Sequence, residues 1–353
     1  MFNKERLTKV YYEALNAVTA ESIVKNNLSL VGDVLSVCDE RYDLKAFQNL
    51  YCFSVGKAGF EMAKVCEEVL GDRLKGGLAI SHKKGFLERM DHLHSTHPLV
   101  SKKSIEAGEK LLKSMETMQE SDLFVFCLSG GASAMIEKPI EGLSLDDFEK
   151  ISASLLGSGI DIKALNSVRK AISQIKGGKL AKVTKAKGAV LVLSDVIGDD
   201  VKTIGSAPMM SERFPHYIVG NNTIALEKAK ASIGQEVEKA EIMTVTLDLP
   251  SPKASEFIVQ TIKEYNKAYE SFCLFIGGET TTEVKGKGQG GRNQELALRV
   301  LLDAKISSNI SVLVAGSDGI DGNSPATGAF LDFEIYEKMN HLALDPQAYL
   351  DNS

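Results

Sequence analysis

The chain has 353 residues, and at about 150 residues per domain this length predicts two domains. Hydrophobic residues make up 44% of the sequence and charged residues 25%, which excludes a disordered or fibrous chain. With 41 Lys and Arg against 47 Asp and Glu, the net charge of −6 provides no overall positive field of the kind that binds nucleic acid or acidic membranes.

The cysteines and the N-terminal segment indicate a cytoplasmic location. None of the five cysteines forms a CxxC pair, and Cys52, Cys127 and Cys273 lie in apolar runs where reduced, buried thiols are expected. The N-terminal residues have the pattern of an amphipathic helix, which is not that of a signal sequence. Apolar runs such as Ala189–Leu193 are too short to cross a bilayer. The sequence therefore predicts a soluble, intracellular protein with no membrane or nucleic-acid partner.

In chain order, the first half of the sequence alternates short apolar strands, turns rich in Gly or Ser, and segments of helical period. The predicted strands are Tyr51–Val55, Gly77–Ser81, Leu123–Leu128 and Ala189–Leu193. The predicted helices are residues 1–18, Phe60–Leu70, Ser101–Met118, Ser144–Leu156 and Ile162–Lys182. Ser144 and Asp147 have the spacing of a capping box, which is typical of a helix start.

The second half repeats this alternation. Its predicted strands are Tyr217–Val219, Glu241–Leu247, Phe272–Ile276 and Ile310–Ala315. Its predicted helices begin at Asn222 and cover Ser255–Tyr269 and Gln294–Asp303. Alternating strands and helices predict an α/β fold with mainly parallel sheets flanked by helices, in which ligands bind at the carboxyl ends of strands. Ser211–Pro215 interrupts the pattern. We therefore predict an N-terminal, Rossmann-like α/β domain over residues 1–213 and a C-terminal α/β domain over 214–353.

One strand-to-helix turn has the composition of an anion-binding loop. The Walker A pattern GxxxxGK[ST] does not occur, which excludes an ordinary P-loop enzyme. After the strand Leu123–Leu128, paired glycines allow backbone N–H groups to turn inward, as phosphate or carboxylate binding requires. A tight strand–helix turn without a ligand is the alternative. The residues of this loop are Ser129, Gly130, Gly131, Ala132 and Ser133.

Two cations lie beside glycine-rich turns. Lys57 follows Gly56 at a strand end, where it either neutralises phosphate charge or is a solvated surface residue. Arg292 begins a helix just after the run 286–291, which satisfies the dinucleotide pattern GxGxxG. No long buried strand precedes that run and position 311 is Ser311, not an acid, so we interpret the match as a coincidence of glycine density.

Carboxylates also follow several predicted strands. Such groups are natural ligands for a Mg²⁺ ion that carries phosphate oxygens, whereas local Asx turns are the alternative for any one of them. The acidic candidates are Asp195, Asp199, Asp200, Glu279, Asp318 and Asp321.

Two further patterns each carry a competing interpretation. His92, His94 and His97 form HxHxxH, but Pro98 ends the pattern and no second group with metal spacing is near, so a zinc site is disfavoured. Asn166, Arg169, Lys176 and Lys179 lie on one predicted helical stretch. Seven residues separate Arg169 from Lys176, so the two would share a face and approach an anion together; a solvated face is the alternative.

Nine of these segments, in order over residues 50 to 330, resemble the glycerate 2-kinase family with the C-terminal domain called MOFRL, whose members are often described as hydroxypyruvate reductases. Each segment is modest alone, but nine in the same order form a specific signal. The segments are Val55–Ala58, Thr96–Pro98, Leu128–Ala134, Leu165–Lys170, Ile175–Ala181, Leu193–Asp199, Gly277–Thr281, Gly290–Glu295 and Ser317–Gly322.

The resemblance implies transfer of the γ-phosphoryl group of ATP, with Mg²⁺, to the 2-hydroxyl of D-glycerate by two α/β domains with the site in the cleft between them. Lys57 matches the family's functional lysine and Arg292 its functional arginine, and Asp195 is expected either to bind the metal or to orient the attacking hydroxyl. The 129–134 loop is expected to hold phosphate or the glycerate carboxylate. The other implied site residues are Asn166, Arg169 and Lys176 for substrate or phosphate, Gly277, Gly278, Glu279, Thr280 and Asn293 for nucleotide, and Asp318 with Asp195 for metal.

The resemblance also leaves alternatives open. The partners it implies are D-glycerate and ATP, and a homodimer is one of the assemblies that the sequence leaves open. A hydroxypyruvate reductase dependent on NAD(P)H is one alternative activity, and an inactive nucleotide-binding remnant is the other. The remnant is considered because relatives continue beyond Asp351-Asn352-Ser353, so that the second domain looks incomplete.

Overall fold

The computed structural model describes residues 2–157, 162–304 and 309–352. Contacts between residues divide the chain into two compact units. The first unit is Val18–Asn221, and the second joins the segment up to Ala17 to the residues from Asn222 onward.

The helices frame the sheets of both units. They are α1 Lys4–Ala17, α2 Ala20–Asn27, α3 Gly59–Leu70, α4 Lys102–Glu116, α5 Ala132–Met135, α6 Leu145–Gly157, α7 Ile162–Ala171, α8 Lys179–Val183, α9 Asn222–Ile233, α10 Ser251–Ala268, α11 Arg292–Ala304, α12 Phe333–His341 and α13 Pro346–Asp351. Within the described ranges, no helix combines the length and apolar character needed to span a bilayer.

The strands form separate sheets within the units. They are β1 Leu28–Val31, β2 Val34–Val37, β3 Glu40–Asp43, β4 Asn49–Val55, β5 Leu74–Ser81, β6 Asp91–His94, β7 Asp122–Ser129, β8 Lys187–Leu193, β9 His216–Gly220, β10 Lys239–Leu247, β11 Phe272–Gly278, β12 Val312–Ala315 and β13 Gly328–Leu331.

The first unit is built on a six-stranded parallel sheet in the order β6-β5-β4-β7-β8-β9. Every residue of β7 is buried, as expected of a central parallel strand covered on both faces. Phe53, Phe124 and Phe126 pack on one face of the sheet, while Cys52 and Val125 pack on the other. The order brings the carboxyl ends of β4, β7 and β8 side by side, and this edge carries the residues discussed below.

The second unit contains a parallel pair, β10 with β11, and an antiparallel pair, β12 with β13. Helices α10 and α11 pack against each other over a core that includes Val300 and Leu331. A smaller core joins Val10 of α1 to Ile233 of α9 and Phe275 of β11.

The predicted fold class is confirmed, and each of the eight predicted strands has a counterpart within a few residues. The capping box is confirmed as well, since the backbone N–H of Asp147 donates to Ser144 Oγ at 3.1 Å and that of Ser144 to Asp147 Oδ2 at 3.1 Å. The thiols of Cys52, Cys127 and Cys273 are free and buried, as the sequence predicts.

Two predictions about organisation differ from the structure. The units separate between Asn221 and Asn222 instead of after residue 213, and α1 belongs with the second unit because its apolar face packs on α9. The single helix predicted over Ile162–Lys182 is wrong: α7 ends at Ala171 and α8 begins at Lys179. Between them Gly177 and Gly178 adopt positive φ of 65° and 78°, which a continuous helix cannot accommodate.

Candidate functional site

In the first unit, the turn after β4 is closely joined to the end of β7. The backbone N–H of Lys57 donates to Gly130 O at 2.8 Å, and that of Ala58 donates to Ser129 Oγ at 3.1 Å. Gly56 has φ 127°, and a Cβ there would overlap Ser129, so only glycine allows the two turns to approach this closely. The predicted loop Ser129–Ser133 and Lys57 therefore form one structure.

Asp195 lies at the same edge, directly after β8. Its carboxylate covers the Cα of Gly130, so that a Cβ on Gly130 would overlap it. Asp195 Oδ2 lies 3.7 Å from Lys57 Nζ, and the two side chains are 49% and 51% exposed. The sequence separates these residues by more than a hundred positions, and the parallel sheet brings them together. We call Lys57, Asp195 and the loop 129–133 the lysine site.

His97 is a further residue at the lysine site, in a role that the sequence reasoning did not give it. A Cβ built on Gly131 would lie 2.8 Å from His97 Cδ2, 3.1 Å from His97 Nε2 and 3.1 Å from Lys57 Cγ, so the imidazole and the lysine stem both border this glycine. Partial desolvation lowers the pKa of His97, and its neighbours Lys57 and His82 lower it further, against an opposing effect of Asp195. His97 therefore carries a neutral imidazole at neutral pH. The signal that could have found it is its position in the segment Thr96–Pro98.

The histidine pattern does not form a metal site. His92 uses both ring nitrogens within the protein, with Ser81 Oγ at 3.2 Å and Gly85 O at 3.1 Å. His94 Nδ1 lies 3.3 Å from Lys103 Nζ. The zinc interpretation of HxHxxH therefore has no support in this part of the described chain.

Lys176 is not on the helical face that was predicted to carry it. Because α7 ends at Ala171, the prediction that Arg169 and Lys176 share one face is wrong. Lys176 is 1% exposed and forms a buried ion pair with Glu137, while its Nζ lies 5.4 Å from the ring centroid of Phe148. Burial lowers the pKa of Lys176, and the Glu137 carboxylate opposes this shift. The pair uses the ammonium internally, which leaves it no exposed face toward an anion.

Asn166 and Arg169 lie on α7 and are partly exposed. Arg169 has a buried Nε with no hydrogen-bond partner in the described part of the chain. Anion binding by Asn166 and Arg169 therefore stays a prediction.

In the second unit, Arg292 and Glu279 form an ion pair, with side chains 44% and 52% exposed. Glu279 follows β11, and its backbone N–H donates to Leu247 O at 2.9 Å. Side chains on Gly277 or Gly278 would overlap Asn222 or the Leu247 backbone, so these glycines serve the close approach of neighbouring segments. Thr280 is buried beside them. We call Arg292, Glu279 and residues 277–280 the arginine site.

Asn293 connects the arginine site to the turn after β12. Asp321, which is 2% exposed, accepts from the backbone N–H groups of Asn293 at 3.1 Å and Gln294 at 2.8 Å and so caps α11. A Cβ built on Gly316 would lie 2.9 Å from Asn293 Nδ2 and 3.3 Å from Asp318 Oδ1, so these two side chains share one turn. Asp321 is thus a structural cap, whereas Asp318 keeps an exposed carboxylate.

The run 286–291 is not a dinucleotide fingerprint. The strand before it, β11, ends at Gly278, eight residues too early for a strand–turn–helix unit. Gly286 and Gly288 lie against Asn352, whose carbonyl accepts from the Gly288 N–H at 2.9 Å. These glycines therefore allow close backbone contacts within the protein. This agrees with the interpretation that the GxGxxG match reflects glycine density and not dinucleotide binding.

Comparison with known proteins connects these sites to a family. The family model described as a domain of unknown function, DUF4147, matches residues 6–240, and the MOFRL family model matches residues 272–353. The chain is 31% identical to a D-glycerate 2-kinase of Thermotoga maritima, over all of this chain and 93% of that protein. The chain belongs to the glycerate 2-kinase family.

Two further comparisons agree with this membership. The glycerate 2-kinase family member described here is 32% identical to a glycerate 2-kinase of Pyrococcus horikoshii, over 96% of this chain and 88% of that protein. It superposes on the crystal structure of a glycerate kinase from Thermotoga maritima with a TM-score of 0.86 and 30% identity, over 98% of this chain and 91% of that chain. The resemblance predicted from nine short segments is confirmed, and family membership supports a kinase.

Proposed function

We propose that this protein is a D-glycerate 2-kinase, which transfers the γ-phosphoryl group of ATP to the 2-hydroxyl of D-glycerate. The observation that carries the proposal is its similarity, over nearly the full length of both chains, to two proteins named glycerate 2-kinase. The residues of the lysine site and the arginine site supply the cations that such a transfer requires.

In the first unit, Lys57 places positive charge beside the loop 129–133. Phosphoryl transfer needs stabilisation of negative charge on the transferring oxygens more than covalent help. The exposed ammonium of Lys57 suits this task, and the partly exposed loop residues Gly131 and Ser133 carry backbone N–H groups suited to phosphate or to the glycerate carboxylate, whereas Ala132 is fully buried. Asp195, paired with Lys57 at 3.7 Å, is suited to orient the lysine and the attacking hydroxyl.

In the second unit, we assign Arg292 to the charge of the nucleotide phosphates. Its guanidinium donates a hydrogen bond to Glu279, which orients it in the structure without ligand. We assign residues 277–280 and Asn293 to nucleotide binding. Their support is that Gly278 and Glu279 are exposed at the end of β11 and that Asp321 caps the start of α11; Thr280, which is buried, would act through these neighbours.

A Mg²⁺ ion fits one of the predicted carboxylates better than the other. Mg²⁺ takes hard oxygen ligands, commonly one or two carboxylates together with substrate phosphates. Asp318 is exposed and shares its turn with Asn293, whereas Asp195 faces the ammonium of Lys57. We therefore propose Asp318 as the ligand; when bound, the ion would neutralise phosphate charge.

An ADP-release assay over a panel of small hydroxy acids tests the proposed function. We expect release that requires D-glycerate and Mg²⁺, with 2-phosphoglycerate as the product identified by ³¹P NMR. 3-Phosphoglycerate as the product would contradict the 2-position. NADH oxidation with hydroxypyruvate would favour the reductase, and nucleotide binding without turnover would favour the inactive remnant.

The cytoplasmic location and the homodimer stay predictions from sequence.

Gly130→Ala tests whether the position of Asp195 matters for turnover. The new methyl group would overlap the Asp195 carboxylate, which would have to move from its present position. Displacing a positioning group by about 1 Å can cost on the order of 10²-fold in rate, and we expect a loss of this size in kcat. Gly157→Ala, on a helix with open space around its Cα, is the matched control and should leave kcat unchanged. Equal kcat in the two variants would remove Asp195 from the proposed site.

A further inference from the structure

The proposed reaction leaves one chemical task at the lysine site without an assigned group. As the acceptor oxygen bonds to phosphorus, its hydroxyl proton must leave. Lys57 is a cation and has no lone pair to receive it. The Asp195 carboxylate is engaged by Lys57 and lies over Gly130.

His97 has the properties that this task requires. Its ring borders Gly131, the loop glycine that also touches the stem of Lys57. Within the described residues neither ring nitrogen of His97 has a hydrogen-bond partner, in contrast to His92, whose two nitrogens are both used. A neutral imidazole carries one N–H donor and one free lone pair.

The titratable groups around His97 come from the ends of three strands. Lys57 follows β4, His82 follows β5 and Asp195 follows β8. Burial and the Lys57 charge lower the pKa of His97, which keeps the lone pair available at neutral pH. The same cation that attracts phosphate thus keeps its neighbour unprotonated.

We propose that His97 is a catalytic residue of the lysine site that contacts the acceptor hydroxyl and receives its proton. This inference rests on the proposed function. The hydroxyl oxygen forms a bond to the γ-phosphorus of ATP, while the bond from that phosphorus to the bridging oxygen breaks and its electron pair leaves with ADP. The proton moves to a ring nitrogen of His97, and the imidazolium then releases it to solvent.

His97→Ala tests this role through chemical rescue. A general base contributes about 10²–10⁴-fold, so we expect kcat to fall at least 10²-fold, with a smaller change in KM for ATP. Added imidazole should restore kcat in a saturable manner, because a small base can enter the space left by the side chain. A purely structural role would not respond to imidazole. His94→Ala, three positions earlier on β6, is the matched control and should retain the parent kcat.

The outcomes separate the inference from the proposed function. Parent protein without glycerate-dependent ADP release overturns both. Active parent protein with a His97→Ala kcat within about threefold of it, or with a loss that imidazole does not rescue, overturns the role of His97 alone. His97→Gln, which keeps polarity and similar bulk, covers the case in which the alanine variant fails to fold. Low kcat with an unchanged melting temperature in that variant supports the proposal, and parent-like kcat overturns it.

Discussion

Replacing Lys57 by alanine is expected to lower kcat/KM for the phosphorylation of glycerate by about 10²–10³-fold, the usual effect of removing one preorganised group that stabilises developing charge. The Lys57 side chain is half exposed, so an anionic ligand can reach its ammonium beside Asp195, and the turn that carries it is hydrogen-bonded to the loop 129–133. Little stability should be lost, because an ion pair as exposed as Lys57 with Asp195 contributes less than about 1 kcal/mol.

The Lys57→Ala experiment needs an activity measurement and a fold measurement on the same sample. We expect steady-state ADP release to fall while the melting temperature stays within a few degrees of the parent. Lys64→Ala, on the exposed side of α3, removes the same charge seven residues away and should leave kcat/KM unchanged. Similar kcat/KM for the two variants would show that the charge of Lys57 contributes no more to catalysis than that of Lys64.

Much of the lysine site is predictable because its residues follow buried parallel strands. The apolar runs of β4, β7 and β8 are strong local signals, and the residues directly after parallel strands meet at one edge of the sheet. The strand pattern therefore predicts that Lys57, Gly130 and Asp195 follow strands, and the resemblance to the glycerate 2-kinase family assigns them to one site. Their exact pairing, with the carboxylate over Gly130, depends on the strand order and has no local signal.

The misplacement of Lys176 shows where sequence periodicity fails. Apolar residues at helical spacing continue past Ala171, so the pattern alone extends the helix. The structure ends it there, and positive φ at Gly177 and Gly178 fits the turn that follows. The partner of Lys176 is Glu137, 39 residues earlier, and nothing in either local sequence indicates that the two charges are buried together. The short strands β1, β2 and β3, of four residues each, were missed because they are too brief for a clear alternation.

Glu137→Gln should have the largest effect on stability that we predict. Glu137 is fully buried and Lys176 is 1% exposed, so the variant leaves an ammonium in the core with no carboxylate to balance it. Removing one partner of a buried ion pair typically costs about 3–5 kcal/mol, which for a unit of this size lowers the melting temperature on the order of 10 °C. Calorimetry or circular dichroism measures the shift. Asp91→Asn, which breaks the exposed pair with Lys110, is the control and should cost less than about 1 kcal/mol.

Replacing both buried charges by methionine separates their structural role from the anion-binding role first predicted for Lys176. Two apolar side chains of similar volume avoid the desolvation of both ions, so Glu137→Met with Lys176→Met should recover most of the stability lost in Glu137→Gln. If the ammonium serves only the internal pair, the double variant should also keep the parent kcat/KM for glycerate. A double variant that is as stable as the parent but has lost activity would show that Lys176 has a role in substrate binding.

A Glu137→Gln variant as stable as Asp91→Asn would show that Glu137 does not balance a buried charge on Lys176. We therefore expect stability to require either both charges or two apolar side chains at positions 137 and 176, and we expect turnover to depend on neither residue.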